Sequence, residues 1–177
     1  MAPIRDEELL LRWAEYSAFT PMMRTHETNR PAENVQIYDN AELLQKFGRL
    51  TRIFKELKPY IKNAVAQNAN EGTPVMRPLF LQYQDDPEAF DQDYQYMFGD
   101  DLLVAPVLEP GVENWNVYLP GKGELWKWLW DRLDAPYYID GGQYITVFSP
   151  LGYPPVFYRH NSTFKDLFEK ISSDFQL

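Results

Sequence analysis

Up to about residue 72 the apolar positions recur every three or four residues, the spacing of helices with one buried face. Residues 7–19 read as a helix capped by Asp6. Leu9, Leu10, Trp13, Ala14 and Tyr16 share one face, and Glu8 pairs with Arg12 on the other. Pro21 ends the helix, and Thr20-Pro21-Met22-Met23 reads as a short buried strand. A loop over 27–39, rich in Asn, Pro and charge, is longer than an ordinary connection. Asn40 caps a second helix over 41–57, with Leu43, Leu44, Phe47, Leu50, Phe54 and Leu57 as its apolar stripe. Pro59 opens a third over 59–69, with Tyr60, Ile61, Ala64 and Val65 facing inward and Gly72 as its C-cap.

At Thr73 the period changes. Short apolar runs at 75–83, 94–98, 102–108, 115–119, 125–130, 144–148 and 156–158 are separated by Pro, Gly and Asp turns. Strands at that spacing predict an antiparallel sandwich. Ser162 caps a closing helix over 162–171, with Phe164, Leu167, Phe168 and Ile171 on its apolar face. The fold class expected is α+β, with a helical part over residues 1–72 and a β domain over 73–177.

Composition narrows what such a chain does. With 45% hydrophobic and 16% aromatic residues among 177, it carries enough apolar side chain for a packed core. A formal net charge of −9 argues against nucleic acid and anionic membranes as partners. There is no cysteine, hence no thiolate metal site and no cysteine nucleophile. No apolar run approaches the length of a membrane span, about 20 residues. The start lacks an apolar leader core, which together with the absent cysteine favours the cytoplasm. The chain also enters a helix almost at once, which suggests a beginning inside a larger architecture.

One stretch gathers chemistry. Met-Met-Arg-Thr-His-Glu at 22–27 sets a guanidinium, an imidazole and a carboxylate directly after the expected strand. That is where α/β barrels place working residues. Arg24 offers a rigid fork of donors and His26 both donates and accepts, which suits a hydroxyl-rich ligand. The competing reading pairs Arg24 with Glu27 and leaves His26 on a backbone carbonyl. The acid pairs Asp85-Asp86, Asp91 with Asp93, and Asp100-Asp101 lie at turns, where Asp hydrogen-bonds its own backbone. No His, Asp or Glu set has metal-ligand spacing, no Gly-rich phosphate loop opens a helix, and no Gly-x-Ser-x-Gly elbow is present. No cofactor is expected. His160, beside Arg159, reads as a surface residue. Trp126, Trp128 and Trp130 alternate on one strand face and read as core rather than as a sugar platform.

Three stretches together resemble the C-terminal part of glycoside hydrolase family 31, the α-glucosidase family. They are residues 9–27, ending Pro-Met-Met-Arg-Thr-His-Glu; residues 72–81, Gly-Thr-Pro-Val-Met-Arg-Pro-Leu-Phe-Leu; and residues 99–108, Gly-Asp-Asp-Leu-Leu-Val-Ala-Pro-Val-Leu. Val117-Tyr118-Leu119-Pro120 and the run from Gly141 to Pro150 fit as well. The Met-Met-Arg-Thr-His-Glu form, where ordinary α-glucosidases usually carry Arg-Asn-His, is most similar to sulfoquinovosidase-like members.

The resemblance implies that residues 1–72 are the end of a (β/α)8 barrel, helices plus the last strand, and that 73–177 are the antiparallel β-sandwich beside it. It implies that His26 hydrogen-bonds sugar hydroxyls in the cleavage subsite, with Arg24 as its motif neighbour. These enzymes are retaining and use two aspartates, a nucleophile and an acid/base, standing about 5–5.5 Å apart. Both belong to motifs on earlier barrel strands that this chain lacks. The expected function is therefore that of the C-terminal fragment of a retaining α-glycosidase, for an α-glucoside or a sulfoquinovoside, with no catalytic residue of its own. The alternative is a non-catalytic carbohydrate-binding or interaction module derived from that family. The partners expected are a carbohydrate substrate, and the missing barrel portion or a second copy of the chain.

Overall fold

The structure is a computed structural model that describes residues 6–25, 34–131 and 137–176. Three helices come first: α1 (Glu7–Ala18), α2 (Ala41–Glu56) and α3 (Lys58–Glu71). Eight short strands follow: β1 (Met76–Pro78), β2 (Tyr96–Phe98), β3 (Leu102–Val104), β4 (Asn114–Leu119), β5 (Leu125–Trp128), β6 (Ile139–Asp140), β7 (Gln143–Phe148) and β8 (Val156–Arg159). Helix α4 (Lys165–Asp174) closes the chain. Six strands form one antiparallel sheet in the order β1-β2-β3-β8-β5-β6, and β4 pairs with β7 as a separate ribbon.

The caps are where local chemistry puts them. Asp6 accepts from the Leu9 amide at 3.1 Å and Asn40 from the Leu43 amide at 2.7 Å. Gly72 ends α3 at φ 76°, a left-handed conformation that favours glycine.

The six-stranded sheet is buried on both faces, and its register shows how. Met97, Leu103 and Phe157 lie opposite one another across β2, β3 and β8 and point towards the β4–β7 ribbon, where Val117 and Leu119 meet them. The alternate row, Phe98, Leu102 and Tyr158, points to the helices and packs with Leu50, Ile53, Leu57, Phe168 and Ile171. One core thus joins the helical segment to the sheet. Excised residues 1–72 should accordingly fail to hold a stable fold. Leu50, Ile53, Leu57 and Tyr60, each at most 1% exposed, would become wet, at about 1.5–3 kcal/mol per side chain. Hydrogen exchange that stayed slow over α2 and α3 in the excised segment would contradict this.

Tyr60 is the main polar tie between the two layers. Its hydroxyl donates to the Phe98 carbonyl at 2.5 Å and accepts from the Asp101 and Leu102 amides at 2.9 and 3.2 Å. Gly99, at φ 61°, lets the β2–β3 turn come that close: a Cβ there would stand 2.4 Å from the Tyr60 hydroxyl.

Several expectations need correction. Residues 20–23 form no strand, because a strand is fixed by lateral partners and no described segment pairs with them. The strands expected over 75–83 and 102–108 shorten to β1 and β3, and Leu79–Leu81 is a 3₁₀ turn. Leu44 and Val65 are exposed, whereas Ile53 is fully buried. Phe164, not Ser162, borders α4. Ser162 instead receives the Phe164 amide at 3.0 Å just before the helix. Trp126 packs towards the ribbon and Trp130 towards the helices, because β5 ends at Trp128 and the chain turns. His160 is half-buried, with its ring edge-on to Tyr138 at 4.3 Å, because β8 carries it alongside that residue. On α1, Ala14 is buried and Glu8 stands 4.0 Å from Arg12 as expected, but two apolar and two charged positions change places. Leu9 and Trp13 are 46% and 63% exposed, while Arg12 and Glu15 are buried where the β4 and β7 ends press on the helix.

Candidate functional site

Helix α1 stops by simple means. Pro21 follows it, the Phe19 amide bonds back to the Tyr16 carbonyl at 3.1 Å, and the Thr20 hydroxyl lies 2.9 Å from the carbonyls of Ser17 and Met22. The chain then leaves at an angle and carries Met23 inward and Arg24 outward. Across from it, residues 34–38 are held in a turn. The Gln36 amide donates to the Asp39 carboxylate at 2.8 Å, and the Asp39 amide returns to the Gln36 carbonyl at 3.0 Å. Asn40 ties this side to α1 by donating to Glu7 at 2.9 Å.

Between these walls lies a cleft of about 930 Å³, lined by Leu10, Trp13, Met23, Arg24, Ile37, Tyr38 and Phe47 among others. Trp13 and Tyr38 are both largely exposed and offer flat apolar faces; Arg24 supplies donors at the rim. Aromatic faces with a few fixed donors suit the C–H faces and hydroxyls of a sugar. Asp6 is the one carboxylate among the described lining residues, so the described lining holds no acid pair. A second, more apolar groove of about 750 Å³ lies on the other flank of the Leu9–Trp13 ridge, against Tyr94, Tyr96 and Leu108.

The sequence reading placed Arg24 and His26 together. Arg24 stands on the cleft; His26, Glu27 and most of the 27–39 loop lie outside the described residues. Trp13 and Tyr38 were missed as site residues. Trp13 was assigned to a buried face, and Tyr38 sits in a loop where no periodicity flags it. The acid pairs were expected to hydrogen-bond their own turns, but Asp86 and Asp100 instead tie in remote segments. Asp86 accepts from the Tyr118 hydroxyl at 2.7 Å and the Gly121 amide at 3.2 Å, and Asp100 pairs with Arg77 at 2.9 Å. Among the described residues no three His, Cys, Asp or Glu side chains gather as a metal site, and no helix is long and apolar enough to cross a membrane.

Comparison with known proteins gives matches over both parts. Residues 2–64 match the model of the glycosyl hydrolases family 31 TIM-barrel domain, and residues 72–164 that of the glycosyl hydrolase family 31 C-terminal domain. The chain is 50% identical over 169 residues to the sulfoquinovosidase of Escherichia coli K12, covering 96% of this chain and 24% of that protein. With the sulfoquinovosidase of Agrobacterium fabrum the identity is 46% over 168 residues, covering 95% and 24%. A solved family 31 sulfoquinovosidase from E. rectale, in complex with the aza-sugar inhibitor IFGSQ, superposes with a TM-score of 0.90 at 46% identity. It covers 98% of this chain and 25% of that one. The chain therefore spans about a quarter of the length of these relatives.

Proposed function

The chain belongs to glycosyl hydrolase family 31, and from that premise we propose that it supplies the C-terminal quarter of a retaining α-glycosidase. In this reading residues 1–72 are the end of the catalytic barrel and residues 73–177 the β-sandwich beside it. Arg24 and His26 stand on the wall of the subsite where the glycosidic bond is cut, with the sugar ring against the Trp13 side of the cleft. The substrate class proposed is a sulfoquinovoside, the class for which two of the relatives compared above are named. The observation that carries the reading is the 50% identity to a sulfoquinovosidase, sustained over 96% of the chain.

The division of labour follows from charge. Retaining cleavage needs two carboxyl groups about 5–5.5 Å apart, one to attack and one to move the proton. The described cleft has one carboxylate, Asp6, beside α1. Arg24 and His26 are suited to holding hydroxyls, not to performing those two roles. The isolated 177-residue chain should therefore show no turnover of 4-nitrophenyl α-glucoside or α-sulfoquinovoside above buffer. Exchange of the matching quarter of the Escherichia coli enzyme for this chain should keep activity. Turnover by the pure chain that disappears in His26→Ala would overturn the division of labour. An inactive but folded chimera would overturn the glycosidase reading.

A described lining without an acid pair also favours a second reading, a carbohydrate-binding module that does not cleave. Binding of a sulfoquinovoside by the isolated chain, with loss in Arg24→Ala, together with an inactive folded chimera, would select it.

A further inference from the structure

A second polar cleft, of about 480 Å³, opens where α3, the β2–β3 turn and the chain entering α4 converge. It shares no lining residue with the Arg24 cleft. Its walls are fixed by bonds already made. Asp100 accepts from Arg77 at 2.9 Å and Gln67 at 3.1 Å, and Asp101 accepts from the Ser162 hydroxyl at 2.8 Å. Arg159 is held by Glu124 at 3.0 Å.

What those bonds leave over is unusual. Asn63, Asn161 and Thr163 line the cleft, are exposed, and hydrogen-bond through their side chains to no described residue. Two further lining residues, Gln82 and Arg159, each bury a polar atom, Oε1 and Nε, with no partner among the described residues. Buried polar atoms without partners are rare in folded proteins and call for an explanation. Charge then selects the ligand. Arg77 and Arg159 balance Asp100 and Asp101, so the cleft is formally neutral. A divalent cation would meet two guanidiniums, and an anion two carboxylates. A hydroxyl both donates and accepts, and so can serve amide, carboxylate and guanidinium together. Leu81 and Phe164 add apolar surface for a C–H face. The volume is within the range of small-molecule sites, about 300–1,000 Å³.

We propose that this cleft binds a neutral polyhydroxylated molecule of sugar size, held by Asn63, Asn161 and Thr163. The inference stands on the cleft alone and does not depend on the glycosidase reading. The test is an amide NMR titration of the full 177-residue chain with D-glucose, and separately with sodium sulfate and calcium chloride. D-Glucose should move the signals of Gln67, Asp101 and Thr163 saturably, while sulfate and calcium leave them in place. The Asn63→Ala/Asn161→Ala double variant should keep its melting temperature and bind D-glucose at least about tenfold more weakly. Thr163→Val should weaken it in the same direction. The proposal is overturned if no signal saturates, if neither variant weakens binding, or if sulfate or calcium moves the same amides. Movement confined to Trp13 and Tyr38 would overturn it while leaving the reading of the Arg24 cleft intact.

Discussion

Glu15→Ala is expected to lower the free energy of unfolding by about 3–5 kcal/mol, the scale for breaking a buried charge pair from one side. Glu15 and Arg12 have side chains only 2% and 8% exposed, and their contact is 3.1 Å. Arg12 also donates to the Val112 carbonyl at 2.8 Å and the Ser149 carbonyl at 3.2 Å. Glu15 accepts from the Gly152 amide at 2.5 Å. The pair therefore welds α1 to one end of the ribbon, where the chain enters β4 and leaves β7, and to the turn before β8. Arg49 continues the weld. Its guanidinium lies between the rings of Trp130 and Tyr153, at 4.6 and 3.8 Å, and donates to the carbonyls of Gly152 and Phe175. Removing the Glu15 carboxylate leaves Arg12 charged and buried with two carbonyls and the more distant Glu8 carboxylate, 4.0 Å away. Burial raises the Glu15 carboxyl above its ordinary value, against the pull of Arg12. The folded state then holds the proton more tightly, so this group's contribution is full below about pH 4.5 and is lost as pH rises through the raised value. Glu15→Gln keeps an acceptor for Gly152 and should cost less than Glu15→Ala. Its deficit should be larger at pH 4 than at pH 7, because wild-type Glu15 keeps its contribution in acid and loses it as pH rises through the raised value, while Gln does not titrate. Urea unfolding of the two variants at pH 4 and pH 7 checks this. A Glu15→Ala loss below about 1 kcal/mol at both would show that the network is slack.

That network also marks the limit of what the sequence discloses. Asp6, Asn40 and Gly72 were legible because a cap acts within four residues of itself. The switch at Thr73 was legible because strand and helix periods differ. Arg12 and Glu15 were not, since periodicity assigns charges to solvent and their partners lie about a hundred residues and more away, at Val112, Ser149 and Gly152. Residues 20–23 were read as a strand from their apolar composition, but no described segment offers them a ladder. The exposure of Leu9 and Trp13 has the same origin. Their spacing is that of a buried face, and the wall it would meet belongs to a longer protein in the reading proposed above. Of the site, Arg24 was legible through its motif, whereas Tyr38 acquires meaning only once α1 and the 34–38 turn face each other.

In a complete enzyme that carries this segment, His26→Ala should lower kcat/KM by roughly 10- to 150-fold and leave the fold intact, an effect of about 1.5–3 kcal/mol on the transition state. The expectation rests on the resemblance that sets His26 in the cleavage subsite and on the position of Arg24, two residues earlier, at the rim of the sugar-sized cleft. The two aspartates of such an enzyme already fill the nucleophile and acid/base roles, so the imidazole is left to hold a hydroxyl. A hydrogen bond that tightens as the ring flattens towards an oxocarbenium ion favours the transition state over bound substrate, and its loss falls on kcat as well as on KM. Leaving-group chemistry separates this from proton donation. Loss of a proton donor is largely rescued when the leaving group needs no proton, whereas loss of a hydroxyl contact costs the same with every leaving group. The chimera described above, measured on an activated aryl glycoside and on an alkyl glycoside, should show equal deficits for His26→Ala. A deficit confined to the alkyl glycoside would make His26 the proton donor. Wild-type rates on both would make it a structural residue of the loop.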